Sequence, residues 1–305
     1  MNDALPAGAG IGRVALRVSD LDETAAFYED VIGLERLDSA AVEETAPPPD
    51  GERAVLGVAD EALLVLDGAP DAPARGPTEA GLYHVAVMLP DRAALGTAIE
   101  RIRRNSGLDG AADHGVSEAI YCRDPAGNGL ECYVDRPKSE WPMEGDRVVM
   151  ETDPLDLEDL VSLSQDARGG EAASAELPAG TTIGHVHLEA TDLESTRSLY
   201  ADALGMRLRQ RFGDEAIFLA AGDYHHHVGA NTWRHRSAPA GDGLGLAWFE
   251  VLVPEASALD AAVERLGDGG FEVDRSAEGA VAVADPDGIG LRLRIDEGIA
   301  VPTGE

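Results

Sequence analysis

Apolar and polar positions alternate in short runs along most of this 305-residue chain, and the same run recurs four times. Ile11-Gly12-Arg13-Val14-Ala15-Leu16-Arg17-Val18 alternates as a half-buried strand does and passes into LDETAAFYEDVIGL, whose apolar spacing is helical and stops at Gly33. Ile183-Gly184-His185-Val186-His187-Leu188 repeats the pattern before LESTRSLYADALGM, with Gly205 as the stop. GLYHVAVMLPD precedes the helical RAALGTAIERIRR, and LAWFEVLVPE precedes SALDAAVERLG. In all four, an acidic residue marking the helix start lies seven positions after a fixed strand position, occupied by Arg13, His84, His185 and Trp248. Short strand-like runs follow each helix, among them GERAVLGV, GLECYV, EAIFLAAG and GLRLRI. The chain therefore reads as four βαβββ modules, an α+β architecture with internal repetition. Residues 137–180 break the pattern with an acidic, Ser/Gly/Ala-rich connection around one short helix near DLEDLVSL. This places modules one and two in a domain at 9–136 and modules three and four in a domain at 181–298.

Composition narrows the function classes. Hydrophobic residues are 44% and charged residues 27%, which is globular. No run of 18 apolar residues exists to span a membrane, and the first ten residues lack the basic and apolar regions of a secretory signal. Two cysteines, Cys122 and Cys132, cannot build a disulfide scaffold and read as small buried hydrophobes, so a reducing cytoplasm is expected. The 57 acidic and 24 basic residues give a net charge of −33, and Lys138 is the single lysine. Such a surface repels nucleic acid and anionic lipid, so neither is an expected partner. An acidic surface dispersed over the whole chain and almost free of lysine is similar to that of proteins from salt-loaded cytoplasms, and a halophilic source is expected. Self-association into a homo-oligomer is left open.

The βαβββ modules, with GLYHVAVMLPDRAALG, DHGVSEAIYCRDPAGNGLECY, IGHVHLEATDL and GDYHHHVGANTW, resemble the vicinal oxygen chelate superfamily. Within it the chain resembles the two-domain extradiol ring-cleaving dioxygenases of the catechol-2,3-dioxygenase type. The resemblance covers residues 11–135 and 181–295. It implies two glyoxalase/bleomycin-resistance/extradiol-dioxygenase-like domains, with paired modules curling a sheet into a metal-bearing cup. It also implies a small aromatic diol and O2 as partners and Fe(II) as cofactor, with Mn(II) as the alternative.

A triad of two histidines and one carboxylate needs ligands projecting inward from neighbouring strands, with open positions left for substrate. His84 and His185 share one register in modules two and three. Glu131 follows the DPAGNG turn, seven residues after Asp124. Module four has the same turn, DPDGIG, but its seventh residue is Arg292, and module one has Arg13 in the histidine register. Ligands confined to the central modules predict that modules two and three pair around the metal while one and four pair without it. His187, on the same strand face as His185, is the rival ligand.

His225, His226 and His227 are consecutive; on a strand, His225 and His227 would face one way and His226 the other. The resemblance puts an acid/base histidine here, with His225 the best match and His227 as its alternative, since a near-neutral pKa lets a histidine take and return a proton. It also implies that Tyr121 and His114, ten and seventeen residues before Glu131, hydrogen-bond the bound catecholate. The expected activity is Fe(II)-dependent extradiol cleavage of catechol or a substituted catechol. Two competing readings are a glyoxalase- or epimerase-like metalloenzyme and a non-catalytic aromatic-binding protein of the same fold.

Overall fold

The computed structural model describes residues 4–38, 51–169, 171, 174, 176–275 and 281–296. Module one comprises β1 (Gly10–Val18), α1 (Leu21–Phe27, continued by a π turn over Tyr28–Ile32), β2 (Glu35–Leu37), β3 (Arg53–Val58) and β4 (Glu61–Gly68). Module two has β5 (Gly81–Met88), α2 (Arg92–Asn105), β6 (Gly110–Asp113), β7 (Ser117–Arg123) and β8 (Gly129–Asp135). The connection adds a small hairpin, β9 (Met143–Glu144) with β10 (Arg147–Val148), and α3 (Leu157–Arg168). Module three consists of β11 (Thr182–Glu189), α4 (Leu193–Arg197, with a π turn over Ser198–Ala203), β12 (Arg207–Phe212), β13 (Ala216–Ala220) and β14 (Val228–Asn231). Module four has β15 (Gly245–Val253), α5 (Ala256–Asp268), β16 (Asp274–Arg275), β17 (Val281–Ala284) and β18 (Gly290–Ile295).

The recurring acidic residues are helix starts. Asp20, Asp91 and Asp192 cap α1, α2 and α4, each accepting from the backbone N–H three residues on, where a helix leaves donors unpaired. Glu255 stands at the same place before α5 without making that bond. Gly33 and Gly205 end the π turns at φ 94° each, a left-handed geometry that glycine adopts without strain.

Two eight-stranded sheets result, in the orders β16-β17-β18-β15-β1-β4-β3-β2 and β12-β13-β14-β11-β5-β8-β7-β6. Modules one and four thus share one sheet, and two and three share the other, as the ligand positions predict. Each half of the chain, 9–136 and 181–298, gives one module to each sheet. Residues 297 and 298 lie outside the described residues.

Strand alternation sends Val85 and Val87 of β5 to the main core, with Val186 of β11, Phe249 of β15 and Ile99 of α2. The opposite face carries His84, Ala86 and Met88. Within each half, a buried tyrosine of the first module's π turn donates to an aspartate in the second module's turn: Tyr28 to Asp124 (3.2 Å) and Tyr200 to Asp285 (3.1 Å). Helix α3 docks on α2 at Gly96, where a Cβ would lie 2.1 Å from the Leu160 carbonyl oxygen.

Candidate metal centre

A row of side chains crosses four adjacent strands of the second sheet on its inner face. His185 of β11 pairs with Ala86 of β5, Ala86 with Glu131 of β8, and Glu131 with Tyr121 of β7. Ala86 is the small residue between His185 and Glu131, so the space above it is free for their side chains to converge. His84, two residues earlier on β5, joins them. His84 Nε2 and His185 Nε2 lie 2.9 and 3.2 Å from Glu131 Oε2. Among the described residues, the ligand atoms of these three lie within 4.8 Å of one another, and all three residues are buried.

The donor set fits a divalent transition metal: two imidazole nitrogens and one carboxylate, drawn from three strands. His84 Nε2 is buried and faces Glu131 without a well-aligned hydrogen bond, as a nitrogen placed for a shared ion would be. Burial favours the neutral carboxyl of Glu131, but His185 and His84 outweigh it and hold the group well below the usual carboxylate range. Burial pushes His185 down to about 4 against the pull of Glu131. Glu131 is thus a carboxylate and His185 a neutral imidazole, the protonation that a metal requires of such ligands.

His187 lines the same cavity but stands outside the triad. Its Nε2 is 3.0 Å from Asn231 Nδ2, an amide that can only donate, so this nitrogen accepts. In the first sheet, Arg13, Trp248 and Arg292 occupy the corresponding register. Arg13 makes a two-pronged ion pair with Glu250, and the Arg292 guanidinium lies 3.8 Å from the centre of the Trp248 ring.

A cavity of about 360 Å³ opens over the triad. Tyr121 and His114 line it, with His114 Nε2 2.7 Å from the Tyr121 hydroxyl and His114 Nδ1 2.6 Å from the Glu151 carbonyl. Burial and the neighbouring Glu131 raise the Tyr121 phenol well above its ordinary value, so it keeps its proton. Phe218, Phe212 and Trp233 add an aromatic wall.

The three consecutive histidines precede β14 in an irregular turn, so strand alternation does not govern them. His226 lines the cavity, its ring 4.0 Å from that of His185. His225 is fully buried behind the wall: its Nε2 is 2.9 Å from Asp135 Oδ1 and its Nδ1 2.7 Å from His226 Nδ1. His227 turns away, accepting at Nδ1 from the Ala221 N–H. Burial and the surrounding histidines hold His226 well below the ordinary imidazole range.

Residues 10–132 and 182–293 match the profile of the Glyoxalase/Bleomycin resistance protein/Dioxygenase superfamily. The chain belongs to that superfamily. It is 38% identical over 286 residues to a catechol-2,3-dioxygenase of Bacillus subtilis (strain 168), covering 90% of this chain and 93% of that protein. Similar solved structures include a Bacillus subtilis subsp. subtilis str. 168 protein, with TM-score 0.62 and 13% identity over 97% of this chain and 90% of that one. Glyoxalase I from Zea mays gives 0.56 and 18% over 93% and 92%. At these identities the structures show the shared superfamily fold.

Two parts of the cavity carry no motif in the sequence. Met150, Glu151 and Thr152, from the connection between the halves, form part of its lining, and so does Gln210 of β12. Nothing in an acidic connecting segment marks it as cavity wall.

Proposed function

We propose that this chain is an Fe(II)-dependent extradiol dioxygenase that opens catechol or a substituted catechol beside its diol with O2. The carrying observation is the convergence of His84, Glu131 and His185 at the floor of a cavity that also presents Tyr121 and His226. The likeness to a catechol-2,3-dioxygenase over nine-tenths of the chain favours ring cleavage over other uses of the fold. The glyoxalase- or epimerase-like reading expects a second carboxylate ligand, and among the described residues none joins the group.

His84, His185 and Glu131 would hold the ion. Bound there, iron supplies redox chemistry and open coordination positions for a chelating diol and O2. Tyr121 and His114 orient the diol: in the neutral His114 ring Nδ1 donates to the Glu151 carbonyl, so Nε2 accepts from Tyr121. The acid/base task falls to His226 on position: its ring lines the cavity and, held well below the imidazole range, stands neutral in the resting site and so open to a proton from the diol. With Asp135 accepting from His225 Nε2, His225 Nδ1 accepts from His226 Nδ1, which leaves His226 Nε2 as the nitrogen free to take a proton. His225 thus becomes the positioning residue. His227, turned toward Ala221, has a structural place. The aromatic wall seats the ring and excludes water. A dispersed acidic surface and two free cysteines support a salt-rich cytoplasmic setting.

Anaerobic reconstitution with Fe(II), followed by O2 uptake on a panel of catechols, tests the proposal. The expected product is the ring-opened catechol carrying both oxygen atoms. An iron-loaded protein inert to every catechol would overturn it.

A further inference from the structure

The connecting segment 149–153 crosses the cavity mouth between the two modules of the second sheet. On the module-two side it is held by its backbone. Glu151 N–H donates to the His114 carbonyl (3.1 Å), and Asp113 and Asp153 exchange two backbone bonds of 2.9 Å each. On the module-three side the Met150 side chain packs against a cluster that includes Ala220 and Tyr224, and one side chain supplies the hydrogen bonds. Gln210 Oε1 accepts from Met150 N–H at 2.8 Å, and Gln210 Nε2 donates to the Met150 carbonyl at 3.1 Å. Both ends of one amide are spent on one backbone residue, tying down the two successive peptide groups that flank the Met150 Cα. The next carbonyl along the chain, that of Glu151, is the one facing His114 Nδ1 at 2.6 Å.

We propose that Gln210 is a positioning residue that sets the proton polarity of the His114–Tyr121 pair through this segment. The inference rests on the dioxygenase reading for its catalytic consequence, but the latch itself is a statement about geometry. A carbonyl only accepts, so a carbonyl locked against Nδ1 keeps the proton there and leaves Nε2 as a lone pair toward Tyr121. Tyr121 then spends its hydrogen on His114 and turns an oxygen lone pair to the cavity, as an acceptor for a diol hydroxyl. Without Gln210 the segment keeps only its module-two bonds, which flank the Glu151 carbonyl and do not hold it directly, so that carbonyl would be able to tilt away from Nδ1. The ring could then carry its proton on Nε2, and Tyr121 would turn its hydrogen toward the Glu131 carboxylate at the cavity floor instead. Gln210 reaches this pair from another module and spends its own hydrogen bonds on Met150, not on His114 or Tyr121.

Two measurements test it. In long-range ¹H–¹⁵N spectra of the full chain loaded with diamagnetic zinc, wild-type His114 is expected as the Nδ1–H tautomer. Gln210→Leu should show the Nε2–H form or a mixture. An unchanged Nδ1–H tautomer in Gln210→Leu would overturn the latch, whatever substrate the protein uses. The second measurement is a double-mutant cycle on the iron-loaded enzyme with catechol. Gln210→Leu should lower kcat/KM about tenfold at equal iron content and equal melting temperature. In a His114→Phe background the same change should cost less than twofold, because its target is gone. Additive losses in the two backgrounds would overturn the coupling. Should Gln210→Leu not fold, Gln210→Glu serves both measurements: it keeps the acceptor for Met150 N–H and loses the donor to the Met150 carbonyl.

Discussion

His225 and His226 are neighbours in sequence with different surroundings, one beside Asp135 behind the cavity wall and the other in the cavity. The two substitutions should therefore differ in kind. At equal iron loading, His226→Ala is expected to lower turnover of catechol about 10²–10⁴-fold, the usual cost of removing a general acid or base. His225→Ala should lower it about tenfold, because it loosens the ring of His226 without removing the nitrogen that moves the proton. Steady-state rates of both variants decide this, and a full loss in His225→Ala beside an active His226→Ala would return the role to His225. The triad should respond differently again. His84→Ala, His185→Ala and Glu131→Ala should each lose most of their iron in metal analysis of the purified protein, while His226→Ala keeps it. His84, His185 and Glu131 could be grouped from sequence because each sits at a countable distance from a helix cap or a Pro/Gly turn, and those features hold their strands in register. The direction of His226 could not be, since alternation has no force in the turn that carries it.

Among the elements, the Pro/Gly turn before β18 holds a carboxyl under tension. Asp285 accepts from the backbone N–H groups of Asp287 and Ile289 and from the Tyr200 hydroxyl, yet burial, with Asp287 nearby, pushes it up to about 7. A carboxyl that binds its proton more tightly in the folded chain than in the unfolded one, where its pKa is about 3.9, stabilises the fold fully below that value. That contribution is lost as pH rises to about 7. Asn at this position keeps an oxygen for the two N–H groups and cannot ionise. Asp285→Asn should therefore gain on the wild type as pH rises from 5 to 8, with a ceiling on the order of 3 kcal/mol. Denaturant midpoints at the two pH values check it; a pH-independent difference would show that Asp285 stays ionised in the fold. The four helices and their starts were legible from cap spacing and apolar period. The crossing of segment 149–153 over the cavity was not, because its hold comes from Gln210 and backbone pairing, neither of which leaves a periodic trace.

For the whole molecule, a net charge of −33 opposes compaction through self-repulsion, and salt relieves it. Raising KCl from 0.1 to 1 M shortens the screening length from about 10 to about 3 Å, so the melting temperature should rise. A flat or falling melting temperature would show that exposed ion pairs such as Arg197–Asp202 matter more than net repulsion. The pairing of modules two with three and one with four was legible because the ligand residues fall in the central modules, although order along the chain alone would pair neighbours. It also sets a timetable during synthesis. Glu131 and His185 are 54 residues apart, with β8 and β11 on opposite sides of β5. At roughly 5–20 residues per second, a ribosome that has made Glu131 needs about 3–10 s more to make His185. Until then the emerging chain offers only His84 and Glu131 of the triad, and β5 lacks its antiparallel neighbour. On the proposed function, ion capture at this triad would be a late event that a prematurely released chain ending in the connection could not perform, and occupancy of the triad would certify that translation passed His185.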